Sequence, residues 1–445
     1  MLIFPKYLYA DVRIEEVTET AISFENGVLR RNKESSTKGA FLRVYDGKRW
    51  YYCATTDMDA LQGELDSLAA MATPNEAILD DPVVRLFQIN KDEVIRFAET
   101  DLRKISNEKK LETVKGYLPL LSEVEEISVS HAVYRDSYSL RSFYSSLGAQ
   151  IIYDYQQAGL ALSYTMNAGD SPFENSTRLF AQDFSQLLNK HEKFRKEIAE
   201  DLNYAKTAVP VEPGVYTCVL APQVAGVFAH ESFGHKSESD FMLGSETMRK
   251  EWAIGTKVGW DGLNIIDSGI PQGSGYVPYD DEGTKATETY LIKDGVLSGR
   301  LHSASTAAAL QEGLTGNARA KDFGFEPIVR MTATYIGGGK DSLEELLKGA
   351  EGGIYIPDYN HGSGMSTFTI APSRAYRIRD GKIAEALRVS VITGNVMETL
   401  YKIDGATVET ELHSSAFGGC GKMEQFPLRV SDGGPYIRVR DINVQ

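Results

Sequence analysis

The first half of the chain alternates between apolar and polar residues in segments that turn residues divide. Between Asp11 and Thr56 the turns are marked by Asn26-Gly27 and Asp46-Gly47. The second turn predicts a tight hairpin between residues 41–44 and 50–54. Strand-like alternation returns in four later segments, which are residues 127–134, 140–144, 150–155 and 160–166.

Three stretches of this half show helical spacing instead. The first places Leu61, Leu65, Leu68 and Met71 on one face, with Asp57 as a candidate N-cap. We expect a second helix over residues 91–115, with a charged outer face, and a third over residues 176–206. The third would carry Leu179, Phe180, Phe184 and Leu187. Strands in runs, separated by helices, predict an α+β fold in which helices cover a largely antiparallel sheet.

The segment 207–214 contains two prolines and a glycine without periodicity, so we expect domains at residues 1–206 and 207–445. After it, residues 215–220 predict a buried strand, and Pro222 predicts the first turn of a helix that reaches His235. Beyond that helix the chain is rich in glycine turns and short strands. This pattern predicts a mostly β, barrel-like second domain around one helix.

Charge and cysteine usage restrict the function classes. The 445 residues carry a formal net charge of −15, which argues against binding to nucleic acid or to an anionic membrane. Three scattered cysteines, Cys53, Cys218 and Cys420, do not suggest a disulfide framework and favour a reducing compartment. The first residues lack the pattern of a signal peptide, and no apolar run is long enough to span a bilayer. We therefore expect a cytoplasmic protein.

The candidate chemistry lies in the predicted helix, where Glu231 follows His230 and a second imidazole, His235, comes five residues after the first. Two imidazoles with an adjacent glutamate are typical of a zinc hydrolase, but the common H-E-x-x-H pattern spaces its histidines by four residues. At about 100° per residue, five residues turn the second side chain about 140° around an α-helix. Both histidines can then reach one metal only if the helix widens into a π-type segment or ends near Gly234.

A catalytic zinc usually takes a third protein ligand and keeps one position for water. The candidates are Cys420, His361, His302, His413, Glu238 and Asp240. Glu238 and Asp240 fit a polar helix end, and His302 and His413 have no metal-like neighbours in the sequence. Cys420 lies between glycines, with Lys422 close enough to favour its thiolate, while His361 lies in a polar, glycine-rich segment. The residues alone leave Cys420 and His361 both open.

Four segments carry a resemblance to a known family, and they are residues 229–235, 280–283, 315–319 and 419–422. With them the chain resembles the TldD half of the TldD/TldE (PmbA) family, whose members have been called modulators of DNA gyrase. The resemblance implies a zinc peptidase of the catalytic type, because TldE-type partners lack the H-E-x-x-x-H motif. It assigns one zinc ion to His230, His235 and Cys420, and the role of general base to Glu231.

The resemblance also implies that the acidic segment Asp280, Asp281 and Glu282 lies near the substrate channel, and we expect His361 to approach the substrate as well. The subunit would enclose a central cavity in a homodimer or in a heterodimer with a TldE-like chain. Its substrates would be peptides or unfolded polypeptides. The main alternative is a non-catalytic partner subunit. A gyrase regulator and an exopeptidase with an acidic third ligand are further alternatives.

Overall fold

The computed structural model describes residues 2–169 and 171–445. Seven strands from the first half form one sheet: β1 (Tyr9–Glu25), β2 (Val28–Tyr45), β3 (Trp50–Thr55), β4 (Lys91–Val94), β5 (Ile127–Ser145), β6 (Gln150–Met166) and β7 (Phe173–Ala181). The order is β3-β2-β1-β5-β6-β4, and β7 pairs with β6 further along its length. All neighbours are antiparallel except β4 and β6. The predicted hairpin is confirmed, with Tyr45 opposite Trp50.

The strands of this sheet are longer than predicted. Residues 127–134 and 140–144 belong to one strand, β5, because the residues between them pair with β1 on one side and with β6 on the other. In the same way, residues 150–155 and 160–166 are both part of β6. Polar residues such as Ser137 and Ser139 interrupt the apolar pattern without interrupting the backbone hydrogen bonds.

The α-helices of this half are α1 (Leu61–Met71), α2 (Asn107–Tyr117), α3 (Pro119–Ser122) and α4 (His191–Thr207). The prediction of α1 is confirmed, with Leu61, Leu65 and Leu68 buried, whereas Met71 at the end of the predicted apolar face is exposed. The predicted N-cap is wrong, since Asp57 accepts hydrogen bonds from the N–H groups of Asp59 and Ala60 in the preceding turn.

Two predicted helices are wrong over much of their length. Residues 91–94 form β4, and the Asp154 carboxylate then accepts hydrogen bonds from the N–H groups of Arg96 and Phe97, so the chain is not free to begin a helix there. Residues 176–181 lie in β7, where the pairing with β6 replaces the predicted helix. The charged, periodic segments at the C-terminal ends of both predictions are helical, as α2 and α4.

Eighteen strands follow residue 207. They are β8 (Val209–Pro210), β9 (Gly214–Leu220), β10 (Ile265–Ser268), β11 (Glu288–Lys293), β12 (Val296–Leu297), β13 (Ala318–Arg319), β14 (Ile328–Val329), β15 (Ala333–Ile336), β16 (Ile354–Gly364), β17 (Thr367–Arg379), β18 (Lys382–Arg388), β19 (Ile392–Asn395), β20 (Ile403–Ala406), β21 (Glu411–Ser414), β22 (Cys420–Lys422), β23 (Gln425–Leu428), β24 (Ser431–Gly434) and β25 (Ile437–Val444).

The α-helices of this half are α5 (Pro222–Ala229), α6 (His235–Ser237), α7 (Asp240–Leu243), α8 (Glu246–Glu251), α9 (Ala304–Leu310), α10 (Leu343–Lys348) and α11 (Val396–Lys402). Five strands close into a barrel in the order β16-β9-β25-β19-β17, because β17 also pairs with β16. A separate six-stranded sheet has the order β12-β11-β10-β15-β24-β21. The prediction of an α+β fold with a barrel-like second half is confirmed.

Helix α5 lies between the barrel and the six-stranded sheet. It packs on β16 of the barrel on one side and on β15, β21 and β24 of the sheet on the other. Val224, Val227 and Phe228 of this helix are buried in the largest apolar cluster of the described chain. The boundary between residues 206 and 207 stays a prediction. No helix in residues 2–169 or 171–445 has the length and apolar character that crossing a membrane requires.

Candidate metal centre

The helix that begins at Pro222 changes its hydrogen-bonding pattern at the first histidine. Residues His230–Gly234 form a π-helical segment, and the N–H of His235 donates to the carbonyl oxygen of His230, five residues earlier. The wider turn removes most of the angular offset that a five-residue spacing produces in an α-helix. Of the two alternatives left open by the sequence, a π-type segment and a helix end near Gly234, the structure has the first, and the two imidazole centroids lie 5.3 Å apart.

Packing holds the π-helical segment in place. Phe233 is fully buried and meets the ring of Phe228 edge to face, at 5.6 Å between centroids. Gly234 is required by a close approach, since a Cβ atom at this position would lie 1.8 Å from the Sδ atom of Met331. The segment therefore combines a large buried side chain, Phe233, with a residue whose lack of a side chain lets Met331 pack closely against the helix.

Cys420, the first residue of β22, completes a cluster with the two histidines. One potential ligand atom from each of His230, His235 and Cys420 lies within 4.8 Å of the other two. The Sγ atom of Cys420 is 3.3 Å from Nε2 of His235. His230 and Cys420 are 4 % and 5 % exposed. Two imidazoles and one thiolate fit a zinc ion that keeps one further position for water.

The electrostatics of the cluster favour the ligand form of the cysteine. Burial alone would raise the pKa of the Cys420 thiol, but the imidazoles of His230 and His235 lower it to about 5. Burial would lower the pKa of His235, yet Cys420 and Glu238 raise it to about 10. Together the two shifts describe a thiolate beside a protonated imidazole. A metal needs the thiolate and the neutral imidazole, so metal binding would release the proton of His235.

Glu238 contacts the ring nitrogen of His235 that lies away from Cys420. The Nδ1 atom of His235 lies 3.2 Å from Oε2 of Glu238, so the Nε2 atom faces Cys420. Glu238 is fully buried and forms an ion pair with Lys422 at 3.1 Å. Lys422 also pairs with Asp240 at 2.7 Å. A carboxylate on the outer nitrogen of a ligating imidazole fixes the ring and raises its basicity.

These contacts correct two expectations. Glu238 and Asp240 were expected to be a polar helix end, but Glu238 is the buried partner of His235. Lys422 was expected to favour the Cys420 thiolate, but its ammonium group contacts Glu238, Asp240 and the carbonyl oxygen of Val329, while the imidazoles lower the thiol pKa. The three-residue spacing from His235 to Glu238, which brings side chains together on a helix, was the available signal.

Glu231 lies in the π-helical segment directly after His230 and is largely buried. Burial raises the pKa of its carboxyl group above the ordinary value. Gly362 and Gly364 of the barrel strand β16 pack against Glu231, so that this strand forms one wall beside the carboxylate. His361 is exposed on the same strand, opposite Ala371 of β17. The cluster of potential ligands therefore contains Cys420 and not His361.

The remaining histidine candidates lie elsewhere. His302 is buried, with Nε2 at 2.9 Å from Glu312 and Nδ1 at 3.2 Å from the hydroxyl of Thr306. His413 lies in β21, directly opposite Asp432 of β24. Neither histidine belongs to the cluster that contains Cys420.

The acidic segment Asp280, Asp281 and Glu282 is buried in contacts with other parts of the protein. Asp280 accepts hydrogen bonds from the N–H groups of Thr284 and Ala318. Asp281 pairs with Arg141 at 2.9 Å, and Glu282 pairs with Arg43 at 3.1 Å. Both arginines belong to the first sheet. These contacts are structural, and the predicted approach of the three acids to the substrate stays a prediction.

Comparisons with known proteins show similarity to metallopeptidases, which fits a potential metal site at His230, His235 and Cys420. Residues 213–445 match the model of the PmbA/TldA metallopeptidase C-terminal domain, and residues 10–73 match that of PmbA/TldA metallopeptidase domain 1. The chain is 32% identical to a metalloprotease of Synechocystis sp. over 98% of its own length and 94% of the relative. It is 29% identical to a zinc metalloprotease TldD homolog of Saccharolobus solfataricus, over 98% and 96% of the two chains.

Solved structures share the fold. A Thermotoga maritima protein described as a modulator of a DNA gyrase superposes with a TM-score of 0.77 at 20% identity, over 98% of this chain and 96% of the other. TldE from Thermococcus kodakarensis gives 0.74 at 17% identity, also over 98% and 96%. Because one family model matches residues 213–445, more than half of the chain, and a relative that is 32% identical covers 98% of it, the chain belongs to the PmbA/TldA (TldD) metallopeptidase family.

Proposed function

We propose that this protein is a zinc-dependent peptidase that hydrolyses peptide bonds in small or unfolded polypeptides. The observation that carries the proposal is the cluster of His230, His235 and Cys420, with Glu231 next to the first of them. In the proposal these three residues hold one zinc ion per chain. A zinc ion so held supplies a Lewis acid for the scissile carbonyl group and acidifies a bound water.

Three further residues would have roles in proton transfer, in orienting a ligand and in binding the substrate. Glu231 takes a proton from the attacking water at a carboxylate oxygen and later delivers it to the nitrogen of the leaving amine as the C–N bond breaks. Its raised pKa suits both transfers, because a group that is too acidic returns a proton poorly. Glu238 keeps the His235 ring in one orientation. His361 is retained as a substrate contact because it is exposed on the strand that packs against Glu231.

The buried cluster limits what can be a substrate. Since His230 and Cys420 are only a few per cent exposed and the side chain of His235 is 13 % exposed, a scissile bond must enter on an extended segment of backbone. Such binding depends on main-chain hydrogen bonds more than on side chains, so weak sequence preference is expected. We also propose that the protein works as a homodimer or together with a TldE-like chain. The likeness to a TldE structure supports the shared fold that such pairing needs.

The test is elemental analysis of the purified protein beside a mass-spectrometric digest of an unfolded polypeptide. About one zinc per chain is expected, with cleavage that a chelator abolishes. A chain without metal and without cleavage would favour the alternative, a non-catalytic partner subunit. Zinc without cleavage would point to a missing partner chain, and adding a TldE-like chain would decide that case.

A further inference from the structure

Several buried polar atoms around the His230, His235 and Cys420 cluster have no hydrogen-bond partner within residues 2–169 and 171–445, and two of them lie on elements that pack against each other. One is Nδ1 of His230, and the other is Oδ1 of Asp432 in strand β24. Buried groups of this kind are nearly always paired in native proteins. An unpaired donor and an unpaired acceptor on two packed elements therefore suggest a hydrogen bond between them.

The packing of β24 on helix α5 brings the two side chains to the same turn of the helix. A Cβ atom on Gly226 would lie 2.7 Å from Oδ1 of Asp432 and 2.4 Å from the backbone nitrogen of Gly433. The Asp432 carboxylate thus lies in the space that a side chain at Gly226 would fill. His230 follows Gly226 by four residues, which places both on one face of the helix.

The direction in which helical side chains lean places the His230 ring over the turn of Gly226. A side chain on an α-helix leans toward the N-terminus and covers the preceding turn, which for His230 is the turn of Gly226. The ring nitrogen nearer the backbone is Nδ1, and it is the nitrogen that can reach the Asp432 carboxylate when Nε2 faces Cys420. Cys420 lies within hydrogen-bonding reach of the His230 ring, and because Nδ1 has no partner, the nitrogen that faces the thiol is Nε2.

His235 shows the complete form of the same arrangement, with Nε2 toward Cys420 and Nδ1 on the Glu238 carboxylate. We propose that Asp432 is the corresponding carboxylate for His230, accepting a hydrogen bond from Nδ1–H and leaving Nε2 for the metal. Asp432 is then a positioning residue that fixes the tautomer and orientation of the first imidazole. This inference rests on the proposed function only in that the cluster binds zinc.

The experiment compares zinc affinity, by competition with a chromophoric chelator, in four full-length proteins. They are the wild type, Asp432→Ala, the near-isosteric Asp432→Asn, and Asp201→Asn as a control. Asp201 is also a buried acid, but it lies on α4. We expect Asp432→Ala to bind zinc about 10–100-fold more weakly. Asp432→Asn keeps a neutral acceptor and should fall between Asp432→Ala and the wild type, while the control should match the wild type.

A second measurement, NMR spectroscopy, determines the protonation state of each nitrogen in the His230 ring. In zinc-loaded protein labelled with 15N-histidine, the His230 ring should show a protonated Nδ1 and a metal-bound Nε2. In Asp432→Ala the Nδ1–H signal should shift and exchange faster with water, while the His235 signal stays in place. If Asp432→Ala does not fold, the wild-type spectrum and the affinity of Asp432→Asn decide the question.

The outcomes separate this inference from the proposed function. Wild-type protein that binds no zinc would overturn both. Wild-type protein that binds zinc, with unchanged affinity in a folded Asp432→Ala variant, would overturn only the role of Asp432. A metal-bound Nδ1 on His230 would also overturn it, because that nitrogen could not then donate a hydrogen bond to a carboxylate.

Discussion

The ring of Phe417 lies directly against the backbone of Gly159. A Cβ atom on Gly159 would fall 2.6 Å from Cε2 of Phe417 and 2.7 Å from Cβ of Ala416. Gly159 lies within the long strand β6 of the first sheet, and Phe417 precedes Cys420 by three residues. The first sheet thus supports the segment that carries a potential metal ligand.

Gly159→Ala should therefore lower both stability and zinc affinity. Overpacking of a close contact costs about 1–3 kcal/mol, and any displacement of Phe417 moves the segment before Cys420. The measurements are the thermal unfolding midpoint and the zinc dissociation constant. Gly63→Ala is the matched control, because a Cβ there meets nothing within 4 Å and the helix α1 should gain up to about 1 kcal/mol. Equal behaviour of the two variants would contradict the supporting role.

Cys420→Ala should lose most of the bound zinc, because two imidazoles alone are an incomplete ligand set for a catalytic site. The control is Cys218→Ala. Cys218 is equally buried but lies in the core of β9, where burial raises the pKa of its thiol to about 12. Zinc is measured by elemental analysis after gel filtration. Full retention of zinc in Cys420→Ala would remove this residue from the ligand set and bring His361 back into consideration.

Glu231→Gln should keep its zinc and lose hydrolysis by about two orders of magnitude or more, since the amide cannot take a proton from water. Peptide cleavage and metal content are measured on the same preparation. Glu246→Gln, an exposed change on α8, serves as the control. A variant that turns over at the wild-type rate would place the general base at another residue.

An unfolded substrate should be cut and its native form spared. The ligand atoms are buried, so a peptide bond within a folded domain cannot approach them unless that domain opens, which costs several kcal/mol. The comparison uses one alkylated protein and its native counterpart at matched concentration, with and without chelator. Similar initial rates for the two forms would mean that the centre is far more accessible than the structure indicates.

The stability of the protein should depend on pH through Asp201, which accepts hydrogen bonds from Tyr164 and Asn175. Burial raises the pKa of Asp201 to about 6 from its ordinary 3.8. The folded state then binds the proton more tightly than the unfolded state. The contribution of Asp201 to the free energy of unfolding is thus full below pH about 4 and declines as the pH rises through about 6.

Asp201→Asn removes this titration. Its free energy of unfolding, relative to the wild type, should therefore rise between pH 4 and pH 7. At about 1.4 kcal/mol per pKa unit, the rise is at most about 3 kcal/mol. Urea unfolding of both proteins at the two pH values measures it. A difference that stays constant with pH would show that Asp201 titrates alike in the folded and unfolded states.

The local geometry around the motif could be predicted from the sequence because it follows from a count of residues. A spacing of five residues from His230 to His235 cannot be reconciled with a regular α-helix and one metal, so a π-type segment was one of two solutions. The choice between Cys420 and His361 could not be made from local pattern. It depends on how β22 and β16 fold over residues that are far away in sequence.

The errors in helix prediction have a related cause. Residues 91–94 and 176–181 contain alternation that is too short to outweigh the charged, helical-looking pattern that follows. Their strand conformation is decided by β6, whose edge offers unpaired backbone groups to both segments. The role of Glu238 was missed because its local sequence context is that of a solvated residue. A carboxylate after a helix is usually solvated, whereas Glu238 is fully buried in contact with His235 and Lys422, and the three-residue spacing from His235 was the one local signal of this contact.

The ion pairs of Asp281 and Glu282 have a consequence for how the chain folds while it is being synthesised. Arg141 and Asp281 are 140 positions apart, and Arg43 and Glu282 are 239 apart. At about 5–20 residues per second, Arg141 is synthesised on the order of ten seconds before Asp281 exists. Within the first sheet, however, Arg43 already meets Asp11 and Arg141 already meets Glu15. Asp11 and Glu15 precede both arginines in the chain and stay paired with them in the folded protein. The nascent sheet can therefore form with its arginines paired while Asp281 and Glu282 are still being translated.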